Sequence, residues 1–285
     1  MIFQTKAKLI KNIAVAQNYY KIILACPQIA KEANPGQFLN IRVSEGCVPL
    51  LRRPFSIHRV RNSEIEILFE VVGKGTEVLS QRKEGESLDI IGPLGNGFDY
   101  TLCVKRHALP ILIAGGMGIA PLLFLADRLA YDVERTAYRK DKKAKLSAKR
   151  YPLNAKVLIG AKTKAGLLCE KEVKELGCEV EIATDDGSKG FKGKVTDLLT
   201  PYLSAKYYPL SVIYACGPYP MLKEIANISK KYNISAQISL EEHMACGIGV
   251  CLGCAVRTNQ GYKRVCKEGP VFSANQIIWG KGQNG

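Results

Sequence analysis

The stretch Pro110-Ile111-Leu112-Ile113-Ala114-Gly115-Gly116-Met117-Gly118-Ile119-Ala120-Pro121 decides the fold. A short apolar run suited to a buried strand leads into closely spaced glycines and then into a helical pattern over Ile119 to Ala130. Glycines at a strand-to-helix turn let a pyrophosphate approach the helix N-terminus, where unpaired N–H groups and the helix dipole favour anions. The turn is not the strict G-x-G-x-x-G fingerprint, and a plain tight turn is the competing reading. Gly115, Gly116, Gly118 and Pro121 are therefore candidate dinucleotide-binding residues. Ligands of open α/β sheets bind at the carboxyl ends of strands, so the turn Cys216-Gly217-Pro218, after another apolar run, is expected on the same edge.

Outward from this stretch, apolar runs (Pro110 to Ala114, Lys156 to Gly160, Glu179 to Thr184, Val212 to Ala215, Ala236 to Leu240) alternate with helical patterns (Ile119 to Ala130, Leu167 to Leu176, Val195 to Leu203, Pro220 to Tyr232). Such alternation implies βαβ units and a doubly wound parallel sheet with helices on both faces. Upstream, from Thr5 to about Tyr100, shorter β-type runs (Lys8 to Val15, Tyr20 to Leu24, Gln37 to Val43, Glu64 to Val72, Ser87 to Ile91) are broken by Asn34-Pro35-Gly36 and Gly-rich turns, the pattern of a small antiparallel barrel. Downstream, the last forty-odd residues are rich in Cys and Gly with little periodicity, so a bound group is expected to supply part of their stability. The expected class is α+β multidomain, with a barrel over 1–102, an α/β domain over 103–239 and a small C-terminal domain over 240–285.

That last segment holds Cys246-x4-Cys251-x2-Cys254-x11-Cys266. The first three thiols have the C-x4-C-x2-C spacing of plant-type 2Fe-2S proteins. Gly247, Gly249 and Gly253 leave backbone N–H groups free to point at sulfur without Cβ clashes, and the fourth thiolate arrives from a later segment after the turn at Asn259-Gln260-Gly261. The competing reading is a zinc site with four cysteine ligands, which normally uses two C-x2-C pairs. The remaining six cysteines (Cys26, Cys47, Cys103, Cys169, Cys178, Cys216) are scattered and read as small, mostly buried thiols.

Two further groups carry chemistry. Arg52-Arg53-Pro54-Phe55-Ser56, followed by Gly73-Lys74-Gly75-Thr76, offers a guanidinium to clamp phosphate and a hydroxyl and amides to reach polar ring edges, against the alternative of a solvated arginine pair. Thr184-Asp185-Asp186-Gly187-Ser188 ends a predicted strand. A carboxylate there, Asp185 foremost, binds ribose hydroxyls and repels a 2′-phosphate, favouring NAD over NADP. An Asx turn is the other reading, and Lys162 and Lys164 nearby weaken the charge argument.

Bulk properties narrow the class. The chain has 285 residues, 47% of them hydrophobic, with a formal net charge of +15. No apolar run is long enough to span a bilayer, and no cleavable apolar signal region follows Met1, so a cytoplasmic protein without membrane attachment is expected. The excess charge is local: eight basic residues against three acidic ones lie between Tyr131 and Arg150. With Tyr138 as the one aromatic besides Tyr131 and no nucleic-acid motif, this reads as a solvated basic insertion, and no nucleic-acid partner is expected.

Taken in order, Arg53-Pro54-Phe55-Ser56, Gly75-Thr76, Gly115 to Pro121 and Cys216-Gly217-Pro218 resemble the ferredoxin reductase family. The tail from Glu241-Glu242-His243-Met244-Ala245-Cys246-Gly247 to Cys266-Lys267-Glu268-Gly269-Pro270-Val271-Phe272 narrows this to the electron-transfer subunits of two-subunit, NAD-dependent dihydroorotate dehydrogenases, a resemblance that covers nearly the whole chain. It implies that Arg53 holds the flavin pyrophosphate and that Ser56 sits near flavin N5 as the catalytic residue. Pro54, Phe55, the strand at Glu70-Val71-Val72 and the Gly75-Thr76 turn complete an FAD site. It also implies that Gly115 to Pro121 and Cys216-Gly217-Pro218 flank the nicotinamide, and that Cys246, Cys251, Cys254 and Cys266 ligate a 2Fe-2S cluster. The implied partner is an FMN-containing catalytic subunit, in a heterotetramer of two plus two, from which electrons from dihydroorotate pass through the cluster and FAD to NAD+ in pyrimidine biosynthesis. His243, where the family usually has Arg, and the insertion from Tyr131 to Arg150 depart from the pattern. Two alternatives remain: a related subunit serving an NADH/ferredoxin complex, hydrogenase or sulfide dehydrogenase, and a zinc-stabilised basic binding module without redox chemistry.

Overall fold

In the computed structural model, residues 1–106, 108–140, 155–203 and 211–280 are described, residues 106 and 133–140 by their backbone alone. The chain forms two compact units, one made of 1–97, 239–272 and 276–285, the other of 98–238 and 273–275.

The first unit begins with strands β1 (Phe3–Ala16) and β2 (Tyr19–Ala25), helix α1 (Pro27–Glu32), strands β3 (Phe38–Arg42), β4 (Arg53–Arg61) and β5 (Glu64–Glu70), helix α2 (Lys74–Ser80) and strand β6 (Ser87–Leu94). The strands close into a barrel in the order β1-β2-β5-β4-β3-β6, and closure removes every open edge. Alternation fills its interior: Leu9, Ile22, Leu24, Leu39, Ile41, Ile57, Ile65, Ile67 and Ile90 are all fully buried. The strand that sequence periodicity passes over is β4. Its run Arg-Pro-Phe-Ser-Ile-His-Arg-Val-Arg lacks clean alternation, and its register with β5 slips between Ile57 and Arg59. Asn40 of β3 lies opposite Pro54 of β4.

The C-terminal part of this unit adds the hairpin β13 (Ala255–Thr258) and β14 (Gly261–Arg264), counted after the strands of the second unit, and strand β15 (Val271–Ser273), whose last residue belongs to the second unit. It packs on the end of β6. Asn96 donates its backbone N–H to the Gly269 carbonyl at 2.5 Å and its side-chain amide to the Glu268 carbonyl at 3.0 Å. A Cβ on Gly95, whose φ is +73°, would fall 2.5 Å from Pro270 Cδ. Residues 239–272 thus cluster with the barrel in one compact unit.

The second unit starts with helix α3 (Thr101–Arg106) and continues through β7 (Leu109–Gly115), α4 (Ile119–Lys140), β8 (Lys156–Ala161), α5 (Glu170–Glu175), β9 (Glu179–Thr184), β10 (Phe191–Lys192), β11 (Ser211–Cys216), α6 (Tyr219–Tyr232) and β12 (Ser235–Ser239). Its strands run in the order β10-β9-β8-β7-β11-β12, with β10 to β11 parallel through β9, β8 and β7. All of β7 is buried, as a central strand covered on both faces must be. The helical pattern over Val195 to Leu203 takes the form of a 3-10 helix, Val195–Tyr202, with Pro201 inside it. The helix expected to end at Ala130 runs to Lys140, so the first half of the basic stretch is helical; 141–150 lie outside the described residues. No helix among the described residues is long and apolar enough to cross a membrane.

Candidate cofactor and metal sites

The cluster loop is built by backbone conformation. Gly247 and Gly249 have φ of +69° and +83°, and Leu252 has +60°. These left-handed residues turn amides inward: Val250 and Cys251 N–H donate to Cys246 Sγ at 3.4 Å, and Cys266 N–H donates to Cys254 Sγ at 3.4 Å. Gly249 is further constrained, since a Cβ there would lie 2.6 Å from Lys267 Cδ. The hairpin β13–β14 returns the chain so that Cys266 meets Cys254. Arg264 locks this return. It donates Nη1–H to the Gly249 carbonyl at 2.7 Å and Nε–H to Glu268 at 3.0 Å, and its second Nη also binds Glu268. The guanidinium beside Glu268 holds that carboxyl down to about 2.

None of the four thiols is in a disulfide, and they fall into two neighbouring pairs, Cys246 with Cys251 and Cys254 with Cys266. Partial burial opposes ionisation of Cys246, but the N–H groups of Cys251, Ile248 and Val250 and the Cys251 thiol outweigh it and bring Cys246 to about 6. Burial, then the neighbouring Cys254 thiol, pushes Cys266 up to about 12, and the charge of Cys246 adds to this. Cys254 and Cys266 are each only 3% exposed. Buried thiols crowded against one another ionise only when a cation compensates them, so the donor set fits a thiolate-bound metal group. Amides aimed at sulfur fit iron–sulfur ligation, which such bonds tune.

On the barrel, the arginine pair divides its work. Arg52 is structural: its guanidinium binds the Asp89 carboxylate at 2.6 Å and the Asp89 carbonyl at 2.8 Å. Arg53 has no carboxylate partner among the described residues and donates to the Leu51 carbonyl at 2.7 Å. Its side chain lies on Gly75, where a Cβ would come within 2.6 Å of Nε. Thr76 Oγ1 accepts the N–H groups of Val72 at 3.0 Å and Gly73 at 3.2 Å, fixing the turn after Glu70-Val71-Val72. Phe55 packs edge-on against Phe69, at 5.6 Å between ring centres, while Pro54 and Ser56 on the same strand are half-buried. A guanidinium with no carboxylate partner among the described residues, lying over a bare glycine, fits a phosphate-bearing cofactor.

In the second unit, β7 and β11 lie side by side with Ala114 opposite Cys216, so the two glycine turns meet. A Cβ on Gly118 would fall 1.9 Å from the Cys216 carbonyl oxygen, one on Gly115 2.6 Å from Pro218 Cδ, and one on Gly217 2.9 Å from Gly115 Cα. Gly116 turns the chain at φ +54°, with open space where its Cβ would stand. Pro121 is buried in the first turn of α4. Met221 sulfur, 2.9 Å from a Cβ on Gly115, completes this floor; a lone methionine on a helix gave no sequence signal. The two aspartates differ. Asp186 makes the Asx turn, accepting Ser188 N–H at 2.9 Å and Oγ–H at 2.6 Å, which lowers its pKa. Asp185, anchored through its N–H to the Ala161 carbonyl at 3.1 Å, is exposed at the carboxyl end of β9. His243 is exposed.

Residues 241–278 match the iron–sulfur cluster binding domain of dihydroorotate dehydrogenase B, and residues 112–227 the oxidoreductase NAD-binding domain. The dihydroorotate dehydrogenase B (NAD(+)) electron transfer subunit of Desulforamulus reducens is 40% identical over 279 residues, covering 96% of this chain and 97% of that protein. Its counterpart from Caldanaerobacter subterraneus subsp. tengcongensis is 39% identical over 98% of this chain and all of its own length. Among solved structures, the NADH-dependent reduced ferredoxin-NADP oxidoreductase, studied for flavin-based electron bifurcation, superposes with a TM-score of 0.75 at 27% identity over 96% of this chain and 90% of its own. With relatives 39–40% identical over nearly the whole of both chains, the chain belongs to the dihydroorotate dehydrogenase B (NAD(+)) electron transfer subunit family.

Proposed function

We propose that this subunit carries electrons from the FMN of a dihydroorotate dehydrogenase catalytic subunit, through a 2Fe-2S cluster and FAD, to NAD+. The observation that supports this reading is that Cys246 and Cys254 accept backbone N–H groups at sulfur, with Cys251 and Cys266 beside them, within the unit that presents Arg53 over Gly75. When bound, a flavin exchanges one or two electrons, an iron–sulfur cluster one and nicotinamide a hydride pair, so the flavin stands between the other two.

The protein's own work is placement. Cys246, Cys251, Cys254 and Cys266 hold the irons, and the loop amides stabilise sulfur charge. Arg53 clamps the flavin pyrophosphate, helped by the Gly75-Thr76 turn and the Glu70-Val71-Val72 strand. Pro54 and Phe55 set the ring's seat, and Ser56 supplies a hydroxyl at the reacting edge. Gly115, Gly116, Gly118 and Pro121, with Cys216, Gly217 and Pro218, form the nicotinamide cradle, and Asp185 takes the ribose hydroxyls. In this reading 1–102, 103–239 and 240–285 are the flavin, nicotinamide and cluster parts. The assembly is a heterotetramer of two plus two. Ten cysteines without a disulfide support a reducing cytoplasmic setting.

The test is an absorption spectrum of the anaerobically purified protein before and after NADH, with iron, sulfide and flavin counts, followed by NAD+ reduction with dihydroorotate and the catalytic subunit. Flavin and iron–sulfur bands that bleach with NADH, and dihydroorotate-dependent NADH formation, are expected. A colourless zinc protein, or a loaded one that passes no electrons from dihydroorotate, overturns the reading.

A further inference from the structure

We infer that Asn40 is a positioning residue for the iron–sulfur cluster, tying the backbone of its first ligand to the strand pair that carries the flavin residues; this rests on the function proposed above. Asn40 is 1% exposed on β3. It donates Nδ2–H to the carbonyl of Cys246 at 3.0 Å, across 206 residues of sequence. On the other side of the same residue, its Cα is paired with Pro54, one residue from Arg53 and two from Ser56.

Three observations set this contact apart from ordinary packing. First, Asn40 Oδ1 is buried with no hydrogen-bond partner among the described residues. An apolar side chain of similar size would avoid that desolvation cost, so the value of an amide at this position lies in its donor end. Second, the loop is cut to receive it. Gly247 adopts φ +69°, and a Cβ there would stand 2.4 Å from Asn40 Nδ2 and 3.0 Å from Cγ. The amide therefore occupies the space that any other residue at 247 would fill. Third, the strand beneath is fixed by its own clamp, because Arg52 donates to the Asn40 carbonyl at 3.4 Å while bound to Asp89 at 2.6 Å. The Cys246 carbonyl is thus held from a rigid barrel strand, which in turn fixes how Cys246 Sγ meets the N–H groups of Val250 and Cys251. Those amides bear on the electronic structure of any cluster it ligates.

The experiment uses the full chain with its FAD, purified anaerobically. Two irons and two sulfides per wild-type chain are the precondition of the function reading; their absence would remove that reading before Asn40 is tested. In Asn40→Leu, FAD content is expected to be unchanged. Transfer of iron to a chelator is expected to be faster by roughly fivefold, the worth of one lost neutral hydrogen bond, and the reduced cluster should show shifted electron paramagnetic resonance g values. Wild-type release rate and g values in Asn40→Leu would overturn the inference. Should that variant lose its fold, Asn40→Asp decides, because it keeps the size of the side chain but puts an acceptor where Nδ2 donates to the Cys246 carbonyl. Faster iron loss than from wild type is expected, and a wild-type rate would refute the positioning role.

Discussion

Two neighbouring glycines in one turn should respond very differently to a single methyl group. At Gly118 a Cβ would stand 1.9 Å from the Cys216 carbonyl oxygen, 2.3 Å from its carbon and 2.8 Å from Gly217 N. All three obstacles are backbone, so no rotamer change relieves them. A carbon–oxygen contact has to open to about 3 Å or more, which moves the turn and the end of β11 apart by roughly 1 Å. Overpacking of this kind costs about 1–3 kcal/mol of stability, and a displacement of that size in a binding cradle costs on the order of a hundredfold in turnover. At Gly116 the Cβ meets nothing within 4 Å, and only the φ of +54° is unfavourable. That strain is worth about 1 kcal/mol. Gly118→Ala is therefore expected to lower kcat/KM for NADH-driven ferricyanide reduction by roughly 30- to 100-fold, and Gly116→Ala by less than about tenfold. Flavin and iron–sulfur absorption, which report on the other unit, should be unchanged in both. Equal losses in the two variants, or a Gly118→Ala enzyme within twofold of wild type, would refute the reasoning about backbone crowding.

The arginine pair should separate stability from cofactor binding. Arg53→Ala is expected to weaken FAD retention by about tenfold or more, measured by flavin fluorescence on dilution, with little change in melting temperature of the flavin-free protein. Arg52→Ala breaks a part-buried charged hydrogen bond to Asp89 and should cost about 1.5–3 kcal/mol in denaturant unfolding. Cys254→Ser, at a buried thiol, should drop iron and sulfide well below two per chain while leaving FAD bound; full iron content would show that the thiol is no ligand. Glu268 has its carboxyl held by Arg264 from an ordinary 4.5 down to about 2. A lowered folded pKa stabilises above the unfolded value and is lost as pH falls from about 4.5 towards 2, so Glu268→Gln should flatten the acid limb of the melting-temperature profile in that window. An unchanged acid limb would show that the Arg264–Glu268 pair does not support the hairpin.

The local signals in this chain were those that depend on neighbours in sequence. Period-two and period-3.6 patterns marked five barrel strands and the βαβ alternation, because burial on one face repeats along the chain. The C-x4-C-x2-C spacing marked the cluster loop, since wrapping one group with three thiolates fixes their separation. What the tertiary structure alone decided are the contacts between distant segments. No periodicity revealed β4, whose Arg, His and Pro are accommodated by a register slip, or the division of labour that turns Arg52 inward to Asp89 and leaves Arg53 bound only to backbone carbonyls. Nor did it reveal that the Cys216 carbonyl lies where a side chain at 118 would go, or that Asn40 reaches Cys246. A glycine required by a backbone passing from elsewhere looks, in sequence, like any flexible glycine. Only when the two segments are brought together does the missing Cβ acquire a reason.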